Sequence, residues 1–150
     1  MDVSQKCQYA LRALFELAKC HALGPALTPA SWIARKQDIP GRFLGMIMNE
    51  LAHGGFIQSR RGVKGGFILA REARDITVGM IIRYIDGPIG PVSCVREVRA
   101  DCGLAGNCAF IDFWRRVRDS VAGLYDGTSL QDLVDEEAGA HTQQTVMMGI

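Results

Sequence analysis

The sequence predicts a mainly α-helical fold with one small β-hairpin after its third helix. Three observations lead there. Apolar residues recur at three- and four-residue steps over 5–20, 41–52 and 110–124, as they do on helices with one buried face. Between the last two of these runs, "FIQSRRGVKGGFILA" switches to strand-like segments around a turn rich in glycine and cations. At 48% hydrophobic and 22% charged, the 150 residues hold enough apolar material for one core, although a chain this size often completes its burial by dimerising.

The first helix carries Cys7, Ala10, Leu11, Leu14, Leu17 and Ala18 on one stripe, and "HALGPALTP" breaks it with Gly24 and Pro25. Thr28 reads as the cap of a short second helix through Trp32, Ile33 and Ala34, with Pro29 at its first position. After the "QDIP" turn, Leu44, Ile47, Met48 and Leu51 mark a third, amphipathic helix that stops at Gly54-Gly55. Three short helices joined by tight turns have the layout of a helix-turn-helix unit, and strands over 56–60 and 67–70 then form its wing. Glycines 62, 65 and 66 let the wing turn tightly.

Thr77 caps a fourth helix, "VGMIIRYID", which Gly87-Pro88 ends. Phe110, Trp114, Val117, Val121 and Leu124 follow at steps of 4, 3, 4 and 3, a seam suited to lengthwise packing against a second helix. The seam is only about two heptads long, so a docked dimerisation helix fits it better than an isolated coiled coil. Thr128-Ser129 caps one more short helix through Leu130, Leu133 and Val134. The expected organisation is a winged helix-turn-helix DNA-binding domain over 1–75, a helix, cysteine loop and long dimerisation helix over 76–135, and a flexible tail over 136–150.

Charge is uneven along the chain. Residues 1–75 hold eleven Lys/Arg against six Asp/Glu, and residues 76–150 six against ten, so the net +1 conceals a basic front half. The first twenty residues include Arg12, Glu16 and Lys19, which argues against a signal peptide or a membrane span. Five cysteines, an odd number, fit a reducing cytoplasm better than a disulfide framework. No catalytic set stands out: His21, His53 and His141 are scattered, there is no serine elbow, and "GVKGG" is too short for a phosphate loop. An enzyme is not expected.

The wing concentrates Arg60, Arg61, Lys64 and Arg71 with no acid among them, a pattern suited to phosphates and to a narrow minor groove. On the third helix the outward candidates are Gly41, Arg42, Gly45, Met46 and Asn49, of which Arg42 and Asn49 carry donors for guanine and adenine edges. Double-stranded DNA is the expected partner, with Arg42, Phe43, Met46, Asn49, Ser59, Arg60, Arg61 and Lys64 as candidate contacts. Cys94, Cys102 and Cys108 are spaced C-x7-C-x5-C, unlike the paired cysteines of zinc ribbons or the runs of ferredoxins. By spacing they are ligands of one metal centre, a thiol switch, or inert thiols. Cys7 and Cys20 sit on or beside the apolar stripe of the first helix and read as core.

Together "SQKCQYALRALFELA", the stretch from "IARKQDIPGRFLG" to "IIRYIDG" and the three-cysteine loop followed by "FW" resemble the Rrf-two family of winged-helix transcription regulators, over about residues 1–135. The resemblance implies a homodimer paired through a helix at roughly 109–125 and bound to a palindromic operator. It places Arg61 in the minor groove, 41–52 as the recognition helix, and Cys94, Cys102 and Cys108 as ligands of a [2Fe–2S] or [4Fe–4S] cluster that alters operator affinity. The implied regulator is a repressor. Two departures matter. IscR-like members keep a histidine where this chain has Ile111, and NsrR-like members keep an acid where it has Gln8. Cys7 is next to Gln8 but on the wrong helical face, and Asp101 and Asp112 are nearby carboxylates that could replace the missing fourth ligand. A cluster-free thiol-switch regulator and a winged-helix protein–protein adaptor are the competing readings.

Overall fold

The computed structural model describes residues 2–24, 26–97 and 102–147, the last few (144–146) by backbone alone. Seven helices and one two-stranded hairpin make up the described chain. Helix α1 (Gln5–Ala22) is the central element, with Cys7, Ala10, Ala13, Leu14, Leu17 and Ala18 all buried. Its cap is Ser4, whose hydroxyl accepts from the Cys7 amide at 3.1 Å. The same residue donates from its amide to Asp86 at 2.9 Å, tying the start of α1 to the end of α4 (Val78–Ile85).

Helices α2 (Ala30–Gln37) and α3 (Gly41–His53) pack on α1 and on each other. Asp38 ends α2 in the left-handed region at φ 49°, which frees the chain to turn into α3. Helix α3 buries Leu44, Ile47, Met48 and Leu51, the stripe read from the sequence. The hairpin pairs β1 (Ile57–Arg60) with β2 (Gly66–Leu69), antiparallel, with Arg60 opposite Gly66.

Thr28 is not the cap of α2; Pro29 holds that position without a side-chain hydrogen bond. The Thr28 backbone instead exchanges two 2.9 Å hydrogen bonds with Phe67, fastening the wing to the segment before α2. That long-range pairing outweighs the local capping preference. It also explains Gly66, where a Cβ would stand 2.6 Å from the Thr28 carbonyl oxygen.

A 3-10 turn (Ala73–Asp75) leads to α4, capped as expected by Thr77, whose hydroxyl accepts from the Met80 amide at 3.2 Å. A short helix α5 (Ser93–Arg96) precedes the cysteine loop, and α6 (Ile111–Gly127) follows it. Arg83 of α4 grips Asp126 of α6 through two hydrogen bonds of 2.5 and 2.8 Å, which hold the Asp126 carboxyl below its usual range. Gly79 makes room for this pair, since a Cβ there would collide with the Asp126 carboxylate.

The end of the chain departs from expectation. In place of a short helix and a flexible tail over 136–150, α7 runs over Leu130–Met147. Ser129 and Asp132 start it with a reciprocal cap: Asp132 accepts from the Ser129 amide and hydroxyl, both at 2.7 Å, and donates its amide to the Ser129 hydroxyl at 3.1 Å. Leu130 is fully buried, its amide bonded to the Ile76 carbonyl, and Glu137 pairs with Lys19 of α1 at 3.2 Å. The stretch "DEEAGAHTQ" has no apolar stripe and includes Gly139, His141 and Thr142, so neither periodicity nor propensity registers a helix there. No helix among the described residues is long and apolar enough to cross a membrane.

Two consequences can be measured. Gly66→Ala drives a methyl group into the Thr28 carbonyl and should lower stability by about 1–3 kcal/mol in urea unfolding. Burial, with Asp86 alongside, pushes the Cys7 thiol up to about 12. Its folded value exceeds its unfolded one, so this contribution is intact below about pH 9 and is lost between about pH 9 and 12. Cys7→Ala should therefore flatten that part of the alkaline stability profile relative to the wild type.

Candidate nucleic-acid interface and cysteine cavity

The exposed side of α3 follows from its buried side. At 100° per residue, burying positions 44, 47, 48 and 51 turns Arg42, Met46 and Asn49 outward in one line, with Gly45 on one flank and Phe43 on the other. The Arg42 guanidinium lies over the Phe43 ring, 4.8 Å from its centroid. Asn49 is exposed, and its backbone carbonyl lies 2.7 Å from His53 Nδ1. The nearest carboxylate on the helix, Glu50, is held by Lys6 at 3.1 Å.

The hairpin packs against α3, and the Phe56 amide donates to the Leu51 carbonyl in its last turn. Ser59 and Arg60 leave β1 exposed, and Arg61 and Lys64 are exposed in the loop around the fully exposed Val63. Among the described residues, none of Arg42, Arg60, Arg61 and Lys64 is held in an ion pair. Arg71, grouped with them by sequence, instead lies over the Phe56 ring at 5.6 Å.

The three clustered cysteines come from different elements: Cys94 from α5, Cys102 from the loop, and Cys108 just ahead of α6. The fold brings all three to one open cavity of about 220 Å³, lined also by Glu97, Ile111 and Arg115. All five cysteines are free thiols. Among the described residues, no three His, Cys, Asp or Glu side chains stand close enough together to hold a metal ion.

Cys7 and Asp112, the described substitutes for a fourth ligand, do not line this cavity. Asp112 accepts from Arg115 at 3.1 Å, Gln8 donates to the Val3 carbonyl at 2.9 Å, and Cys7 is fully buried in the core. Asp101 lies outside the described residues. Sequence reasoning passed over Glu97, whose signal was its place three residues after Cys94. It also passed over Arg118, which donates to the Val95 carbonyl at 3.2 Å and so joins α5 to α6.

Helix α6 buries none of its side chains completely. Val121, read as part of the seam, packs partly on the core with Ala122 and Tyr125, while Phe110, Phe113 and Leu124 remain exposed. The apolar face is thus divided between the chain's own core and solvent.

Known proteins share this fold. A family model described as "Rrf2: Iron-dependent Transcriptional regulator" matches residues 3–136. The HTH-type transcriptional regulator CymR of Bacillus subtilis is 34% identical over 139 residues, covering 93% of this chain and 94% of that protein. The HTH-type transcriptional regulator IscR of Pectobacterium atrosepticum is 28% identical, covering 91% and 81%. Among solved structures, CymR, the global cysteine regulator of B. subtilis, superposes with a TM-score of 0.73 at 36% identity, covering 91% of this chain and 98% of that one. T. potens IscR superposes with a TM-score of 0.70 at 31% identity, covering 93% and 90%. The chain belongs to the Rrf2 family of winged-helix transcriptional regulators.

Proposed function

We propose that the protein is a homodimeric, DNA-binding repressor whose operator affinity is set by the state of its cysteine cavity. The observation that carries this reading is the convergence of Cys94, Cys102 and Cys108 on one cavity at the foot of α6. Helix α3 lies in the major groove and presents Arg42, Phe43, Met46 and Asn49. The wing follows the backbone with Ser59, Arg60 and Lys64 and sends Arg61 into the minor groove. Two copies pair along α6, where the exposed Phe110, Phe113 and Leu124 need a partner, and read a palindrome with half-sites about 34 Å apart.

The three thiols and Glu97 have the donor chemistry of a [2Fe–2S] or [4Fe–4S] site, although among the described residues no three of them stand close enough together to hold a metal ion. Such a cluster would supply a link between α5 and α6 that depends on iron and redox state. The chain's own residues carry the consequence onward. Arg118 connects α5 to α6, and Arg83 with Asp126 connects α6 to α4, which packs on α1 beneath the DNA-binding unit. A shift at the cavity therefore changes the angle at which two recognition helices meet the operator.

A second reading, a cluster-free thiol switch, is favoured by one observation: Ile111 lines the cavity where a fourth ligand would be needed. The resemblance to a cysteine regulator supports the same reading. In that case two of the three thiols close to a disulfide when oxidised.

Arg61→Ala should weaken operator binding roughly tenfold and reduce the slope of log affinity against log salt by about one. Unchanged affinity in a titration at two or more salt concentrations would remove the wing from the interface. Anaerobic purification with iron and sulfide analysis separates the two controls. Iron that is lost in each of Cys94→Ala, Cys102→Ala and Cys108→Ala but kept in Cys20→Ala supports the cluster. Iron-free protein after reconstitution, with a peroxide-induced disulfide in this loop seen by mass spectrometry, supports the switch.

A further inference from the structure

The outward surface of the recognition helix is unusual for a reader of hydrogen-bonding base edges. Met46 stands at its centre, 67% exposed, and Phe43 beside it is 42% exposed. Between Arg42 and Asn49 the described surface offers no other polar side chain, because position 45 is glycine and positions 44, 47 and 48 are buried. Phe43 and Met46 also form one wall of an apolar cleft of about 490 Å³ that reaches across to Tyr9 of α1. Lys6 neutralises Glu50 at the rim, and the cations of the wing lie close by along the chain. An apolar platform beside the unpaired Arg42 matches a surface that is anionic outside and apolar at one point within.

The major groove has such a point. Thymine projects its C5-methyl group there, and no other base of ordinary DNA does so. A flexible thioether and an aromatic edge suit a methyl group and cannot replace the hydrogen bonds of a guanine or adenine edge.

Resting on the DNA-binding reading above, we infer that Met46 and Phe43 are specificity-determining residues that read thymine methyl groups in each half-site, next to a base read by Arg42. Gly45 completes the site. A Cβ at that position would meet nothing within 4 Å in the protein, so internal packing does not require glycine there. The bare backbone instead lets a base edge approach the helix.

The test begins with duplexes selected from a random-sequence pool by the wild-type protein. Each thymine of the selected half-site is then replaced singly by deoxyuracil, which removes the methyl group alone. Wild-type affinity should fall about three- to fivefold at one or two positions, the scale of one buried methyl group. Met46→Ala should reduce that discrimination to less than twofold at one of them, with unchanged thermal stability because the side chain is exposed. Gly45→Ala should melt at the same or a higher temperature, alanine being the better helix former, yet bind the selected duplex at least tenfold more weakly. Selected duplexes whose binding ignores the uracil exchange would overturn the inference while leaving DNA binding intact. So would a Met46→Ala protein that still discriminates, or a Gly45→Ala protein that binds like wild type. A pool from which nothing is enriched would overturn both the DNA-binding reading and this one.

Discussion

The structure depends on how closely other elements can approach helix α1. Its inward positions are mostly small: Cys7, Ala10, Ala13 and Ala18 are buried beside Leu14 and Leu17. Small side chains let helices α2, α3, α4 and α7 and strand β2 all pack on one cylinder. A larger residue at Ala10 or Ala13 would push several of these away together. Close packing also explains the one charge that α1 buries. Glu16 is 3% exposed, and it is held by Lys19 at 3.0 Å and by the Gln37 amide at 2.5 Å. Gln37 in turn accepts from Arg12 at 3.0 Å, so the buried carboxylate is anchored by a network that fixes α2 against α1. Lys19 extends the same network to Glu137 of α7.

With α1 as the common support, the two halves of the molecule are mechanically joined. Helices α3 and α4 both pack on α1, and α4 holds α6 through Arg83 and Asp126. The cysteine cavity lies at the other end of α6, linked by the Arg118 contact to the Val95 carbonyl. Packed elements joined by charge-assisted hydrogen bonds shift as bodies, since a close-packed core does not deform smoothly. The proposed route from the cavity to α3 therefore has few joints. Arg118 and Asp126 are two of them, and both lie on α6.

What could be read from the sequence follows from how local each cause is. The α1 and α3 stripes, the Thr77 cap and the hairpin are set by neighbours within a few residues, and each appears in the spacing of the chain. Thr28 looked like a helix cap because its partner, Phe67, is 39 positions away. The length of helix α7 is illegible for a different reason: its second half shows no apolar face, includes Gly139, and its anchors, Ile76 and Lys19, are remote in sequence. The seam on α6 was visible as a pattern, yet only the fold could divide it between the core and solvent. The cysteines are conspicuous as a cluster, but their meeting with Glu97 and Ile111 at one cavity brings together α5, residues 102–108 and the first turn of α6, which spacing alone does not specify. The candidate DNA contacts lie on surfaces that the sequence placed outward, and they are outward in the fold.

The charge asymmetry of the chain can now be set on its architecture. The surplus of basic residues belongs to the first 75 positions and includes the unpaired wing, whereas α7 carries Asp132, Asp135, Glu136 and Glu137. Helix α7 packs on α1 and on the 3-10 turn, and one of its acids is neutralised there by Lys19. A net charge of +1 gives the whole molecule little general attraction to a polyanion. Affinity for DNA must then come from a few local cations, and such contacts alone do not distinguish one sequence from another. A regulator arranged in this way relies on the shape and chemistry of its recognition helix for selectivity. In the proposed reading that burden falls on the short outward line of Arg42, Met46 and Asn49, and on the bare backbone at Gly45 beside it.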